Sequence, residues 1–454
     1  MAITRIASIL ILLGSAIVSG CRCQSGCCLP ATPSAPCPGV ETAIANEPLD
    51  VFSLVSATEE ADQRSLVELP SPGETYRRLQ ADECQCTAAT NTAVANMIEL
   101  ERHWARVVIE CDSKYVQRNM CLHRDILALW ASKWRNNSAA EALTAYYQLA
   151  GLEARRHYLD KALEETSRSV RRVERFENLG LPVEIDGESL SIKESQLQEQ
   201  ALQLQFARLQ LNGQLQKLLG CPIDETQFFW PEIDWSVDAP VVDANAAVAE
   251  GLSQRTDIRA LQLLQCQLEK GTLRVARGVL AVADATLGSV EPTEGWVHRL
   301  RCICCNEAEL PVRCRQIAMI YADTEQLATA EIKGAVYNIA LQKQRVELAR
   351  RGVEGRRNRL GELEEKRDVD DIPVFEISQA RGALYEAESQ LIECIVALRL
   401  AEVELRKTQG LIAIDCGFRP RLCSEGCCTG ACMRCQPPTC PCPLPDCPCE
   451  CKKK

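Results

Sequence analysis

The chain has 454 residues, of which 46% are hydrophobic and 25% are charged, so it can bury a core and is not intrinsically disordered. Its formal net charge of −11 and the absence of a strongly basic domain argue against nucleic acid as a main partner. The 4 histidines are scattered and form no zinc-binding pair, whereas the 27 cysteines exceed what a cytosolic enzyme of this size normally carries.

Residues 1–20 predict a secretory signal peptide, because the apolar run from Ile6 to Val18 is too short for a membrane-spanning helix. The run ends in Val18-Ser19-Gly20-Cys21, which resembles the lipobox of bacterial lipoproteins. That resemblance implies that Cys21 is acylated and anchors the chain in a membrane; the alternative is an ordinary signal peptide that happens to precede a cysteine. Residues 21–75 contain cysteines and prolines followed by a polar stretch without periodicity, and we interpret them as a tether.

A helical period dominates the chain from about residue 76 to residue 411. Two stripes at intervals of seven are Leu190, Leu197, Leu204, Leu211 and Leu218, and Ile377, Leu384, Leu391, Leu398 and Leu405. Each stripe indicates a coiled-coil seam, and each has an apolar helical partner upstream. Because glycine or proline interrupts the period near 180–187 and 368–373, the sequence predicts two long antiparallel hairpins.

The two hairpins end alike, since Gly220 and Gly410 each follow a leucine-rich helix. This similarity predicts an internal duplication, with repeat 1 at 76–220 and repeat 2 at 245–411. The linker 221–244 holds Phe228, Trp230 and Trp235, so we expect it to pack across the helix ends.

Repeat 2 opens with a segment from Ala249 to Ile258 in which Arg255-Thr256-Asp257-Ile258 resembles the Arg-Pro-Asp-Ile opening of the second repeat in TolC-like outer-membrane efflux proteins. Threonine replaces the usual proline, and the exits at Gly220 and Gly410 resemble the family as well. The resemblance implies a homotrimer in the cell outer membrane, a passive conduit for export from the periplasm that works with a periplasmic adaptor and an inner-membrane pump. A generic coiled-coil protein remains the alternative.

Members of that family insert two strands after the first helix of each repeat, and three protomers close a membrane barrel from them. The corresponding segments here, 108–138 and 288–320, show no clear pair of alternating strands, and 111–135 has a helical pattern. The predicted fold is therefore mainly α, a TolC-like helical body with β-barrel strands reduced or absent. Two strands per repeat would favour the conduit, and helix throughout would favour a scaffold.

The hairpin tips carry the candidate pore residues, because selectivity in a conduit comes from side chains that ring its constriction. These residues are Asp368, Asp370 and Asp371 at the second tip and Glu184 and Asp186 at the first. Rings of carboxylates would attract cations or contact an adaptor; the alternative is a solvated turn, since turns favour aspartate.

The segment 412–454 is rich in cysteine and proline and cannot be a helix over its proline-dense part. Candidate ligands of a soft metal ion are Cys432, Cys435, Cys440, Cys442, Cys447 and Cys449. A disulfide-linked tail is the competing interpretation, because exported cysteines normally oxidise. No other cofactor is expected.

The sequence shows no phosphate-binding loop, no nucleophile elbow and no cysteine–histidine pair at a meaningful spacing, so we expect no enzymatic activity. Two functions remain. One is the efflux conduit, and the other is a lipid-anchored periplasmic coiled-coil scaffold that is crosslinked or metal-bound through its cysteine-rich ends.

Overall fold

Long helices make up most of the computed structural model, which describes residues 75–111, 114–180, 187–224, 226–237, 242–290, 303–367 and 374–422. The elements of the first half are β1 (Thr75–Leu79), α1 (Ala81–Asn91), α2 (Ala93–Cys111), α3 (Lys114–Asn178), α4 (Gly187–Leu219) and β2 (Gln227–Pro231). Those of the second half are α5 (Ala244–Gln254), α6 (Thr256–Cys266), α7 (Leu273–Ala283), α8 (Ile303–Arg367), α9 (Val374–Gln409) and α10 (Ile412–Asp415). A single 3₁₀ turn, Lys270–Thr272, precedes α7.

Two helix pairs form the body: α3 packs against α4, and α8 packs against α9. Helix α3 also packs against α9, so the four helices lie in the order α4, α3, α9, α8. The predicted mainly α fold with two long helix pairs is confirmed. At 65 residues each, α3 and α8 are roughly 100 Å long at the α-helical rise of about 1.5 Å per residue.

The seam of the second hairpin follows its predicted heptads. Leu384, Leu391 and Leu398 are buried against Val346 and Val353 of α8. The small residues three positions on, among them Ala387, Cys394 and Ala401, are buried as well and let the helices approach closely.

The seam of the first hairpin departs from its heptads. Leu197 is buried, but Leu204 and Leu211 are only half-buried. Toward its end α4 buries a different face, which carries Arg208 and Asn212, because that end contacts the strand β2 as well as α3.

A two-stranded parallel sheet closes the first half, with β1 paired to β2 from Thr75↔Gln227 to Leu79↔Pro231. Phe229 of β2 is buried in a core cluster with Tyr146 of α3 and Leu219 at the end of α4. The aromatic linker therefore packs on the body as a strand, at the end of α4 and at the middle of α3.

In the segments in which the family inserts strands, the described residues are helical except 288–290, which form a turn and irregular chain. Residues 114–138 belong to α3, and 303–320 belong to α8. Within the described ranges β1 and β2 are the strands of the chain. None of the described helices combines the length and the apolar character that crossing a membrane requires.

The two halves repeat the same local path. In each half an 11-residue helix, α1 or α5, is followed by a single extended residue and then by another helix. That residue is Thr92 with ψ 103° in the first half and Arg255 with ψ 123° in the second. This repetition agrees with the predicted duplication.

The first residues of the segment assigned to the cysteine-rich tail pack against the body. Ile412 and Ala413 of α10 are buried. The guanidinium carbon of Arg135 on α3 lies 4.5 Å from the ring centroid of Phe418. A disulfide joins Cys86 of α1 to Cys416, across 330 residues of sequence. The described part of the chain is thus closed near its two ends by a covalent bond.

Candidate functional site

The residues of the family motif meet at one cross-section of the body, which we call the junction: residues 88–92, 136–138, 219–220, 254–258, 331 and 407–410. Arg255 occupies the corner between α5 and α6 and donates two hydrogen bonds to Asp257, from Nε to Oδ1 at 3.1 Å and from Nη2 to Oδ2 at 2.8 Å. Asp257 Oδ1 also accepts the backbone N–H of Ile258 at 2.9 Å. Because Ile258 is buried, the motif fixes the first turn of α6 against the core.

Arg255 also ties this corner to both helices of the second hairpin. Its Nη1 donates to Glu331 of α8 at 2.6 Å and to the backbone carbonyl of Thr408 in α9 at 3.2 Å. Burial opposes the charge of Arg255, but its bonds to Asp257 and Glu331 outweigh that effect and raise its pKa. Burial likewise opposes the charge of Asp257, and the contact with Arg255 lowers its pKa below the ordinary value. Both groups are charged at neutral pH.

Gly220 and Gly410 end their helices in the same way. Both have positive φ, 71° and 76°. The N–H of Gly410 binds the carbonyl of Lys407 and the next N–H binds that of Arg406, each at 3.0 Å; Gly220 repeats this pattern with Lys217 at 3.2 Å. Such endings favour glycine because an L side chain is strained at positive φ. The shared exit chemistry predicted from the sequence is confirmed.

Two asparagines that the sequence analysis did not identify hold these exits. Asn91 Nδ2 donates to the carbonyl of Leu219 at 2.6 Å. Asn136 of α3 donates to the carbonyl of Lys407 at 3.0 Å, and its Oδ1 accepts the N–H of Ile412 at 3.1 Å. Free carbonyls at the end of a helix need such donors when they are buried. Asn91 is the last residue of α1 and Asn136 lies inside α3, where each resembles an ordinary polar residue of a helix surface, so no sequence signal marks them.

A cleft of about 410 Å³ opens beside Arg255 at the junction. Its lining includes Lys133, Glu331, Asn338 and Lys407, so both signs of charge face it. Within the described ranges no group of three or more His, Cys, Asp or Glu side chains could hold a metal ion. The geometry suits the junction to mechanical coupling of the hairpins, because Arg255 ties the corner between α5 and α6 to both helices of the second hairpin, and Asn136 ties α3 of the first hairpin to α9.

The outer helices α4 and α8 each expose an apolar stripe, and we call the two the edge stripes. The edge stripe of α4 is Leu202, Phe206 and Leu209, and that of α8 is Leu327, Tyr337, Leu341 and Leu348. The spacings of three, four, seven and ten place each set on one helix face. An exposed stripe of this kind on the outermost helix of a layer is characteristic of an interaction surface.

The remaining predicted site residues lie outside the described part of the chain. They are Glu184, Asp186, Asp368, Asp370 and Asp371 at the tips, the acylation candidate Cys21, and Cys432, Cys435, Cys440, Cys442, Cys447 and Cys449 of the tail. The pore, lipidation and metal assignments therefore stay predictions.

Comparison with known proteins supports the fold. No family profile and no curated protein matches the sequence. Among solved structures, the outer membrane channel CmeC of Campylobacter jejuni superposes with a TM-score of 0.55 at 12% identity, over 73% of this chain and 85% of that chain. The outer-membrane channel OprN superposes with a TM-score of 0.54 at 15% identity, over 73% and 89% of the chains. A membrane protein of Pseudomonas aeruginosa gives 0.53 at 13% identity, over 72% and 93%.

These likenesses, at identities below one residue in six, show that the chain has a TolC-like fold and confirm the resemblance stated from the sequence. CmeC and OprN are both described as outer-membrane channels.

Proposed function

We propose that this chain is an outer-membrane efflux-type component, a passive conduit for export from the periplasm built from several copies of the chain. The observation that carries the proposal is the pair of edge stripes. They lie on α4 and α8, the two ends of the row α4, α3, α9, α8. Each copy thus offers an apolar surface at either side of its helical layer.

The two edge stripes differ in sequence, so contact between them is heterologous. Repeating a heterologous contact gives a closed ring when the rotation from each copy to the next adds up to a full turn. The family resemblance implies that three copies complete this ring. Three rows of four helices give twelve helices. At an interaxial distance of about 10 Å they form a ring roughly 40 Å across between helix axes, which leaves a lumen of roughly 30 Å.

Within this proposal the unassigned residues have defined roles. Asp368, Asp370 and Asp371 would surround the entrance as a ring of carboxylates from all copies, and Glu184 and Asp186 would face an adaptor at the neighbouring tip. Cys21 would hold each copy at the outer membrane through its lipid, and an inner-membrane pump would supply the driving force. Replacing the three aspartates by asparagine should lower cation preference, because that ring would lose all of its charge.

The test of the ring is Leu341→Glu, which places a carboxylate in the edge stripe of α8. We expect the wild-type protein to be a trimer by native mass spectrometry in detergent and Leu341→Glu to be a monomer with unchanged helix content. Val282→Glu is the matched control, because Val282 is an equally exposed apolar residue on α7, outside both edge stripes. Planar-bilayer conductance of the wild-type trimer then tests the conduit directly.

A lipid-anchored periplasmic scaffold is the second candidate, and the helical course of 114–138 and 303–320 favours it. A wild-type protein that is trimeric but never conducts ions would support the scaffold. A monomeric wild-type protein would refute the ring. For either function, mass spectrometry of the mature N-terminus should find lipid on Cys21, and Cys21→Ser should release the protein from membranes.

A further inference from the structure

Cys221 directly follows the glycine exit of α4 at the junction, and its sulfur is part of a disulfide. The side chain is half-buried and packs against the core cluster that includes Leu79 of β1 and Ala88 of α1. Neither the family motif nor the proposed function uses this bond. The partner of Cys221 decides which segment of the chain is fixed to the junction.

The partner is none of the cysteines whose side chains the structure describes. Cys86 is already joined to Cys416. The free thiols of this part of the chain belong to Cys84, Cys121, Cys266, Cys314 and Cys394. Even the buried Cys84, which lies in the cluster against which Cys221 packs, therefore keeps its thiol.

Four further cysteines lie too far along their helices. Cys111 ends α2, which is roughly 28 Å long at about 1.5 Å per residue and begins beside the junction. Cys304 and Cys305 open α8, and Cys302 comes directly before that helix. The 27 positions from Cys304 to Glu331 at the junction correspond to roughly 40 Å of helix. A disulfide brings two Cα atoms within about 7 Å, so none of the four reaches the exit of α4.

The cysteine-rich tail starts by running away from Cys221. From Cys416, which its disulfide fixes to α1, the chain continues to Arg421, whose carbonyl accepts a hydrogen bond from Arg102 of α2 at 3.2 Å. Arg102 lies eleven residues beyond Asn91, and the amide of Asn91 holds the end of α4. The tail therefore leaves the described body along α2 and not at the exit of α4.

The tether, in contrast, ends beside the loop that Cys221 opens. The N–H and the hydroxyl of Thr75 both donate to the carbonyl of Thr226, at 2.9 and 3.3 Å. Thr226 comes five residues after Cys221, and Gln216 holds both backbone groups of Asp224 between them. Because five residues span at most about 18 Å, the chain that precedes Thr75 joins the body close to Cys221.

We propose that the disulfide of Cys221 is made with Cys37 of the tether, and that this bond fixes the lipid anchor to the junction. Among the tether cysteines Cys37 is nearest in sequence to Thr75, so its pairing closes the shortest loop and costs the least chain entropy. In forming the bond the two thiols lose two protons and two electrons to a protein or small-molecule disulfide, which becomes a dithiol. An exported chain meets such oxidants.

The bond shortens the link between the lipid and the body. Cys21 is 54 positions from Thr75 but 16 positions from Cys37. An extended chain spans at most about 3.6 Å per residue, so the reach of the anchor falls from roughly 190 Å to roughly 60 Å. The junction is then held near the bilayer. This anchoring role rests on the acylation of Cys21 in the proposed function, whereas the disulfide itself does not.

Non-reducing peptide mapping of the full-length protein tests the pairing. After free thiols are blocked, we expect the tryptic peptide 23–64, which holds four tether cysteines, to be linked to the peptide 218–255. Cys37→Ser should abolish this link and leave Cys221 open to a maleimide, and Cys28→Ser is the matched control that should keep it. A link from Cys221 to a tail peptide, or an unlinked Cys221 in protein purified without reductant, would overturn the inference.

A cut in the tether provides the second readout and separates the bond from the anchor. With a specific protease site inserted after residue 55, the two fragments of the cut wild-type protein should stay joined on a non-reducing gel and separate in dithiothreitol. The Cys37→Ser variant should separate without reductant, and Cys28→Ser should behave like the wild type. Wild-type fragments that separate without reductant would refute the bond. Joined fragments whose N-terminal part carries no lipid by mass spectrometry would keep the bond but overturn the anchoring role.

Discussion

Removing one partner of the buried ion pair between Arg208 of α4 and Glu153 of α3 should destabilise the first hairpin more than any surface change. The side chains are only 2% and 5% exposed. Arg208 also lies over the ring of Phe228, with its guanidinium carbon 3.8 Å from the ring centroid, and donates to the hydroxyl of Tyr76. The variant Arg208→Met keeps most of the volume but removes the guanidinium that faces the buried Glu153 carboxylate.

Breaking a buried pair in this way costs about 3–5 kcal/mol. At roughly 2 °C per kcal/mol for a chain of this size, the melting temperature should fall by about 6–10 °C. Thermal unfolding followed by circular dichroism at 222 nm measures the shift. The matched control is Arg350→Met, because Arg350 pairs with Glu347 at 3.4 Å on the surface of α8 and such pairs contribute about 0–1 kcal/mol.

The double variant Arg208→Met with Glu153→Leu shows whether the loss comes from the stranded charge. Replacing a whole buried pair by apolar residues is often neutral, so the double variant should recover most of the melting temperature. A single variant Arg208→Met that melts within 2 °C of the Arg350→Met control would refute the reasoning, since it would mean that water reaches Glu153.

Three further outcomes are expected. Gly220→Ala should lower the free energy of unfolding by about 1–2 kcal/mol in chemical denaturation, because a side chain is strained at the positive φ of this residue and would meet Asn91. The control Gly213→Ala lies in open space within α4 and should be neutral or stabilising. Burial lowers the pKa of His157 to about 4, so stability should fall as pH drops from 6.5 toward 4, and His157→Gln should flatten that part of the pH profile. Leu391→Asp, in a buried seam, should lower the melting temperature clearly more than Leu204→Asp at a half-buried position; equal shifts would show that the seams are alike.

The second hairpin was predictable because its heptads agree with its packing. The stripe from Ile377 to Leu405 keeps one spacing, and all five of its members are buried. The glycine exits were predictable for a similar reason, since a single residue with positive φ ends each helix and glycine is the residue that accepts it. Local patterns sufficed wherever local geometry decided the outcome.

The junction could be predicted only in part. The sequence singled out Arg255 and Asp257 through a family resemblance, but the bonds of Arg255 to Glu331 and to the carbonyl of Thr408 join segments 76 and 153 residues apart. Such contacts depend on how the hairpins pack and leave no periodic signal. The disulfide between Cys86 and Cys416 was missed for the same reason, since connectivity among 27 cysteines is not encoded in their spacing.

The first hairpin shows why a heptad stripe alone can mislead. Arg208, Asn212 and Gln216 follow at intervals of four on α4, so their face points inward although it is polar. Asn212 donates to the carbonyl of Gln227 at 2.7 Å and accepts the N–H of Phe229 at 2.9 Å. Both are backbone groups of β2, a strand that has β1 on one edge only.

Gln216 binds the loop before β2 in the same way. It donates a hydrogen bond to the carbonyl of Asp224 at 2.8 Å and accepts one from the N–H of Asp224 at 3.0 Å. A two-stranded sheet is marginal by itself and exposes unpaired backbone groups at its edges. The polar face of α4 satisfies those groups, and this is why Arg208, Asn212 and Gln216 are buried although they are polar, beside the buried Leu215 and Leu219. Polar residues at intervals of four near the end of a helix, just before an aromatic strand, therefore indicate that the helix receives a strand edge. Because β1 pairs with β2, the contact between α4 and β2 also fixes β1 to the first hairpin.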